Sequence, residues 1–356
     1  MSARLSGAGH AVPAAIEQQA LWDGFFERHY GGNRTARRVW ESAGIRTRHG
    51  VVDPTTEDVS GLGTGARMQR FVEEAMPLGK EAVSSALGDA GLRASDVGLF
   101  SVVSCTGYAT PGLDILLARD LGMTTDVQRL MIGHMGCYAA LPGLGAVADF
   151  VTARQRPAVM LCLELTSLHV QPPTKSARSG TPSADDLEQM VAHALFSDAA
   201  AAVVVEPTGA GLEVVDVIAR TDVSTSDHMT WDVTDLGFKM GLSPRVPDVL
   251  AAHVADVVTN LLQRNGLAIS DIAGWAVHPG GPRILDVVQD RLGLAAEAMT
   301  ASRAVLRDFG NCSSSTVLLV LEQLLAGDAL SAGDPLVAMA FGPGLTLYAV
   351  LLRVTD

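Results

Sequence analysis

Three residues of this chain of 356 residues have types suited to nucleophilic catalysis by sulfur: Cys137, His278 and Asn311. Cys137 follows an apolar, strand-like run and two glycines, Gly133 and Gly136, that permit a tight turn. It then opens a stretch of Ala, Leu, Gly and Val with helical character that runs to Phe150. A cysteine so placed sits at the N-terminus of a buried helix, where unpaired N–H groups and the positive end of the dipole favour thiolate over thiol. Singly, each residue has an ordinary reading: a cysteine packing like alanine, a histidine satisfied in the core after a strand, an asparagine forming a turn after glycine. Together they read differently. A neighbouring imidazolium lowers a cysteine pKa, and imidazole and amide N–H groups donate to an oxyanion.

An internal duplication is what brings them together. The strand-like stretch from Asp96 to Gly107 resembles Asp271 to Gly281, and each follows a helix ending in Gly-Leu, at Gly91-Leu92 and Gly266-Leu267. The glycine turn and helix from Gly136 correspond to Gly310-Asn311-Cys312 through Leu325, the strand Ala158–Glu164 to Leu336–Phe341, and Ala199–Val205 to Leu345–Leu352. The offset is roughly 175 residues for the first three pairs and about 146 for the last, which places an insertion in the first half at Thr166 to Asp198. That insertion holds a polar loop, Gln171 to Ser183, and a helix capped at Ser183 with Asp185 and Asp186 in its first turn. Duplicated halves with buried, continuous apolar strands predict two sheets covered by helices and stacked about a pseudo-twofold axis. Equivalent loops from each half then meet between them: the Cys137 turn, the His278 loop and the Asn311 turn. His134, three residues before the nucleophile, is expected to point away from it and to be structural.

Composition narrows the classes. With 48% hydrophobic and 18% charged residues the chain buries a large core, which excludes disorder. No uninterrupted apolar run reaches the roughly 20 residues of a membrane span, and the first fifteen residues lack the order of a signal peptide, so a soluble cytoplasmic protein is expected. A net charge of −13 argues against nucleic acid or an anionic membrane as partner. The four cysteines lie far apart, without metal spacing or a disulfide framework, and no metal is expected. Against this acidic background the segment Arg34 to His49 is locally basic, either a solvated helix face or a phosphate-binding rim.

At the level of motifs the sequence resembles the type III polyketide synthases, the chalcone synthase-like family of the thiolase-like superfamily, over nearly its whole length. The resemblance rests on Gly136-Cys137, Leu195-Phe196-Ser197-Asp198, Leu236-Gly237-Phe238, His278-Pro-Gly-Gly-Pro-Arg-Ile-Leu285, Gly310-Asn311-Cys312-Ser313-Ser314 and Ala340-Phe-Gly-Pro-Gly344. It implies an α/β fold in five layers, α-β-α-β-α, with residues 1–208 carrying the nucleophile and residues 209–356 the histidine and asparagine. It implies an acyltransferase that holds an acyl-CoA starter on Cys137, condenses it repeatedly with malonyl-CoA and cyclises the chain to a pyrone or resorcinol-type product. Phe196 and Phe238 match a gate between a coenzyme A tunnel and a reaction cavity, and Cys105, Thr166, His169 and Ser313 match cavity positions, with Glu164 beside them. Arg38, Gly280, Gly281 and Arg283 are the expected coenzyme A contacts. Two further basic positions of the plant enzymes fall on Thr35 and Ser42, so Arg34, Arg37 or Arg283 is expected to compensate. No tightly bound cofactor and no carrier protein are implied, and a homodimer is, with residues 106–112 reaching the partner's cavity. The small wall residues favour aliphatic starters, with a medium-chain optimum set by His169.

Three rivals differ in sequence. A β-ketoacyl carrier-protein synthase III-like enzyme also uses Cys, His and Asn but reads His-Gln-Ala-Asn where this chain has His278-Pro-Gly-Gly281. A papain-like hydrolase has the same residue order without the duplication. A degenerate, non-enzymatic chain-length subunit should have lost the nucleophile, and this chain keeps all three residues.

Overall fold

The computed structural model describes residues 3–327 and 329–356. Its strands are β1 (Arg4–Ala11), β2 (Ala15–Glu17), β3 (Thr47–His49), β4 (Leu99–Ser104), β5 (Gln128–Gly133), β6 (Ala158–Glu164), β7 (Ala199–Glu206), β8 (Gly211–Thr221), β9 (Met229–Thr234), β10 (Gly237–Leu242), β11 (Gly274–Val277), β12 (Pro335–Gly342) and β13 (Thr346–Thr355). Nine of them form one sheet in the order β11-β12-β13-β8-β1-β7-β6-β4-β5.

The pairing repeats as the sequence duplication requires. β4 runs parallel to β6, which is antiparallel to β7, which is antiparallel to β1. β11 runs parallel to β12, which is antiparallel to β13, which is antiparallel to β8. Two separate sheets were expected; the halves are instead hydrogen-bonded across a narrow seam, Arg4 to Glu213 and Leu5 to Leu212, because β1 and β8 present their free edges to each other. β5 has no counterpart in the second half and ends the sheet at an edge.

Strand periodicity explains the layers. Along β6 and β7, Val159, Leu161, Leu163, Ala200, Ala202 and Val204 point into one hydrophobic core, and Met160, Cys162, Ala201 and Val203 into another. β12 and β13 divide in the same way, with Leu336, Ala338, Val350 and Leu352 in that second core and Val337, Met339, Ala349 and Leu351 in a third. The shared middle core contains the helices Ala140–Arg154 and Thr316–Leu325, while Thr64–Asp89 covers the outer face of the first half and Val246–Arg264 that of the second. Five layers, α-β-α-β-α, follow.

The stretch Gly136–Arg154 is long and apolar enough to cross a membrane by length and composition. Its place is the middle layer, where Leu141, Leu144, Val147 and Val151 are fully buried between the two halves, a burial that stabilises by about 1.5–3 kcal/mol for each such side chain.

The insertion folds as expected at its helix, Ala184–Leu195. Ser183 and Asp186 form a reciprocal capping box, with the Ser183 Oγ accepting from the Asp186 N–H at 3.2 Å and the Asp186 carboxylate accepting from the Ser183 N–H at 2.9 Å. A separate antiparallel hairpin, β9–β10, packs beside this helix.

Candidate active site

Cys137 lies in a 3₁₀ turn, Gly136–Tyr138, and the α-helix proper begins three residues later at Ala140. Gly136 has φ +73°, and a Cβ there would lie 2.6 Å from Pro343 Cδ. The motif Gly342-Pro343-Gly344 therefore presses directly on the cysteine turn, which explains why both loops are glycine-rich. His278 follows β11; its backbone N–H donates to Met339 O at 2.8 Å and its ring meets Phe341 edge-on at 5.8 Å. Asn311 follows the helix Thr300–Phe309 through Gly310, φ +76°.

These three residues line one apolar cavity of about 450 Å³, together with Phe196, Met229, Met240, Leu242 and Phe341. Both ring nitrogens of His278 are buried without a hydrogen-bond partner. The Asn311 Oδ1 accepts from the Ser313 N–H at 2.9 Å, which fixes the amide and leaves its NH₂ without a protein partner among the described residues. Neither the His278 ring nor the Asn311 NH₂ is thus committed to a protein partner among the described residues. A buried polar group left unpaired costs about 1–3 kcal/mol, so the geometry is that of a site prepared for a polar guest.

Burial is the largest influence on the sulfur. It pushes the Cys137 thiol up to about 12, with the Ser313 hydroxyl pulling the other way and the Glu164 charge adding to the rise. Burial also pushes His278 down to about 3. The thiolate expected at this position is therefore opposed by burial. Burial thus disfavours a charge on either group alone.

A second cavity, about 130 Å³, lies on the other side of Cys137 and is lined by Cys105, Thr106, Thr166, Ser313, Trp231 and His134 among others. His134 was expected to turn away; with φ +62° it borders this cavity instead, the left-handed backbone redirecting it. Glu164 is fully buried, and burial raises its pKa against the hydroxyls that bind it. It accepts from the Ser314 Oγ at 2.6 Å, the Thr106 Oγ1 at 2.8 Å and the Cys105 N–H at 3.0 Å. The Cys105 Sγ is 3.5 Å from both its oxygens, and the thiol is raised well above its ordinary value by burial and by that carboxylate.

Phe196 borders both cavities, at their junction. Phe238 does not: its ring stacks on His169 at 4.6 Å and faces a third cavity of about 60 Å³. Met240, two residues along the same face of β10 and paired with Trp231 across the hairpin, takes the junction position. Residues Met229, Trp231, Met240 and Leu242 were missed; their alternation along two strands was the available signal. His169 also differs from expectation. Its Nε2 binds Thr106 O at 2.6 Å and its Nδ1 accepts from the Phe238 N–H at 3.0 Å, so it braces the hairpin rather than walling the inner cavity. That wall is Trp231, whose Nε1 donates to Cys105 O at 2.7 Å.

Gly280, Gly281 and Arg283 border the large cavity, with Arg283 3.4 Å from Asp248. Arg38 lies with Arg34 and Arg37 in a separate surface groove of about 290 Å³ on the helix Arg34–Glu41, whose next residues, Ser42 and Ala43, reach the large cavity. Among the described residues no group of His, Cys, Asp and Glu is arranged to hold a metal.

Comparison with known proteins decides the family. The model of the N-terminal domain of chalcone and stilbene synthases matches residues 2–209, and that of their C-terminal domain residues 216–355. The chain belongs to the chalcone and stilbene synthase family. It is 34% identical over 334 residues to the alpha-pyrone synthesis polyketide synthase-like Pks18 of Mycobacterium tuberculosis, covering 89% of this chain and 81% of that protein. It is 37% identical over 325 residues to 1,3,6,8-tetrahydroxynaphthalene synthase of Streptomyces peucetius subsp. caesius, covering 89% and 83%. The crystal structure of 1,3,6,8-tetrahydroxynaphthalene synthase from Streptomyces coelicolor A3(2), a bacterial type III polyketide synthase, superposes with TM-score 0.90 at 29% identity and covers 99% of both chains. The protein is accordingly an acyltransferase of the type III polyketide synthase class with a thiolase-like fold, and the carrier-protein synthase reading falls away.

Proposed function

We propose that this enzyme loads an acyl group from an acyl-CoA onto Cys137, extends it iteratively with malonyl-CoA and releases a cyclised pyrone or resorcinol-type product. The observation that carries the reading is the set of unpartnered donors, the His278 imidazole and the Asn311 amide NH₂, in the cavity that holds the Cys137 thiol. In loading, His278 takes the thiol proton as sulfur attacks the thioester carbonyl, the carbon–sulfur bond to coenzyme A breaks, and the leaving thiolate takes the proton from the imidazolium. In extension, malonyl-CoA loses carbon dioxide, and the electron pair of the broken C–C bond becomes an enolate whose oxygen is held by His278 and Asn311. One such donor lowers the barrier by about 3–4 kcal/mol. The enolate carbon then attacks the Cys137 thioester, the Cys137–acyl bond breaks with the electron pair going to the sulfur, and the Cys137 thiolate takes the lengthened chain back from coenzyme A for the next round. An amide suits position 311 because a carboxylate would repel the enolate.

Incubation of the purified protein with malonyl-CoA and a panel of acyl-CoA starters, followed by mass spectrometry, tests this directly; aliphatic starters are the favoured class, and absence of any extended product would end the reading. Coenzyme A thioesters are then the only small molecules required, with no carrier protein and no bound cofactor, and the four free cysteines suit a reducing cytoplasm. We also read residues 1–208 and 209–356 as its two functional halves, with Arg38 and Arg283 near the phosphates of the bound thioester.

Product size is set at the inner cavity. Trp231 lines both the 130 Å³ cavity and the 60 Å³ one, so Trp231→Ala enlarges the space at their shared wall and is expected to shift products from the same starter toward at least one more malonyl unit; an unchanged product distribution would remove Trp231 from this role.

A homodimer completes the picture. The edge strand β5 carries the exposed Leu130 and Met131, and Tyr108 and Ile115 are exposed on the neighbouring segments. An unpaired apolar edge of this kind is normally covered. Light scattering is expected to give twice the chain mass at micromolar concentration, and a monomer would refute the assembly.

A further inference from the structure

We propose that Arg48 is a positioning residue: its guanidinium holds the backbone of Phe196 and, through it, sets where the Asn311 amide stands in the active-site cavity. This rests on the reading of Asn311 as an oxyanion donor given above.

The locally basic segment that contains Arg48 had two sequence readings, a solvated face or a phosphate rim, and neither describes this residue. Arg48 is 7% exposed. Its Nη1 donates to His193 O at 2.6 Å and to Phe196 O at 2.9 Å, and its guanidinium carbon lies 4.8 Å from the centre of the Trp40 ring. His193 and Phe196 stand at the C-terminal end of the Ala184–Leu195 helix, where carbonyls lack intrahelical partners and a cation is favoured by the dipole. Asn311 is clasped on both sides of that same residue: its N–H donates to Leu195 O at 2.9 Å and its carbonyl accepts from the Ser197 N–H at 2.9 Å. Phe196 and Asn311 form an isolated parallel bridge. The contact is close from below as well, since a Cβ at Gly310 would fall 2.9 Å from Ser197 Cβ and 3.3 Å from Arg48 Cγ. The strand that carries Arg48 is stitched to the same segment, His49 N–H to Ser197 Oγ at 2.8 Å and Asp198 N–H to His49 O at 2.9 Å.

Stability alone does not account for a guanidinium here. Its hydrogen bonds are to carbonyls, its Nε is buried without a partner, and Asp198, the carboxylate whose charge favours it, is occupied by Thr166, Ser167 and the Val51 N–H. Burying a cation in this way carries a desolvation cost that an apolar side chain of similar length avoids. What only the guanidinium supplies is a pair of directed donors at the two carbonyls. Burial lowers its pKa to about 9, so it remains charged at neutral pH.

The test separates the two half-reactions. Arg48→Met and Arg48→Lys are compared with wild type for acyl transfer to Cys137, followed by intact mass, and for carbon dioxide release from malonyl-CoA. A shift of about 1 Å in a catalytic group costs up to about a hundred-fold, so the expected result is a fall of about ten-fold or more in kcat for the malonyl step, with KM for malonyl-CoA and starter loading near wild type. An unchanged malonyl step, or an equal fall in both half-reactions, would overturn the proposal. Should neither variant fold, Ser197→Ala loosens the same clasp without removing a charge; a selective loss of the malonyl step in it supports the proposal and wild-type behaviour overturns it. A wild-type protein that releases no carbon dioxide and forms no polyketide refutes the functional reading itself, a result distinct from any of these.

Discussion

Cys137→Ala is expected to abolish polyketide formation completely while the fold persists, and intact mass spectrometry should show an acyl adduct on wild type and none on the variant. The side chain is small and borders two cavities, so truncation leaves the packing between Gly136 and Pro343 in place. The same residue should be the first of the four cysteines to react with iodoacetamide. Cys162 and Cys312 are fully buried, and burial raises both thiols. Cys105 does border a cavity, but its sulfur stands 3.5 Å from the Glu164 oxygens, and a neighbouring carboxylate opposes the thiolate. Cys137 alone opens onto both cavities and shares one of them with an imidazole. A variant that still makes product at a comparable rate, or labelling that begins at Cys105, would remove the nucleophile assignment.

The parts of this molecule written locally were legible in sequence. The duplication could be read because each half repeats the same order of apolar strands and glycine turns, and parallel strands buried on both faces leave continuous apolar runs. The Ser183 capping box could be read because both of its bonds span three residues. The Cys137, His278 and Asn311 loops follow from the duplication alone. What could not be read depends on contacts between distant segments. Arg48 looks like part of a solvated face until residues 193–198 fold over it. Phe238 was expected at the gate from the family resemblance, yet Phe238 and Met240 share one face of β10 and only tertiary placement decides which of them reaches the junction. The seam between β1 and β8 rests on two residue pairs, too few to leave a pattern. The charge state of Cys137 differs for a related reason: a dipole argument is local, whereas the burial that raises the thiol comes from distant segments packed around it.

His278→Ala and Asn311→Ala are expected to lower malonyl-CoA decarboxylation by about a hundred-fold or more, the scale of losing a donor to developing negative charge, but to differ in what they do to the sulfur. In wild type, burial disfavours charge on either Cys137 or His278 alone, holding the imidazole neutral across the physiological range and the thiol protonated. Moving the proton from one to the other leaves the net charge unchanged, so the population of the thiolate–imidazolium form does not vary with pH between the two macroscopic titrations of the pair. Where this ion-pair form carries the reaction, alkylation of wild type by iodoacetamide is nearly flat from about pH 6 to pH 9. Without His278 the thiol has no internal base and titrates toward its raised value of about 12. Because a raised cysteine pKa means that thiolate appears only as pH climbs toward it, alkylation of His278→Ala should be slow at pH 7 and rise about ten-fold per pH unit through this range. Asn311→Ala keeps the base, so its alkylation profile should stay flat and its starter loading should survive, while decarboxylation and elongation fail. A steep profile in wild type would mean that Cys137 titrates alone, and equal loss of loading and elongation in Asn311→Ala would mean that the amide serves both half-reactions rather than the enolate.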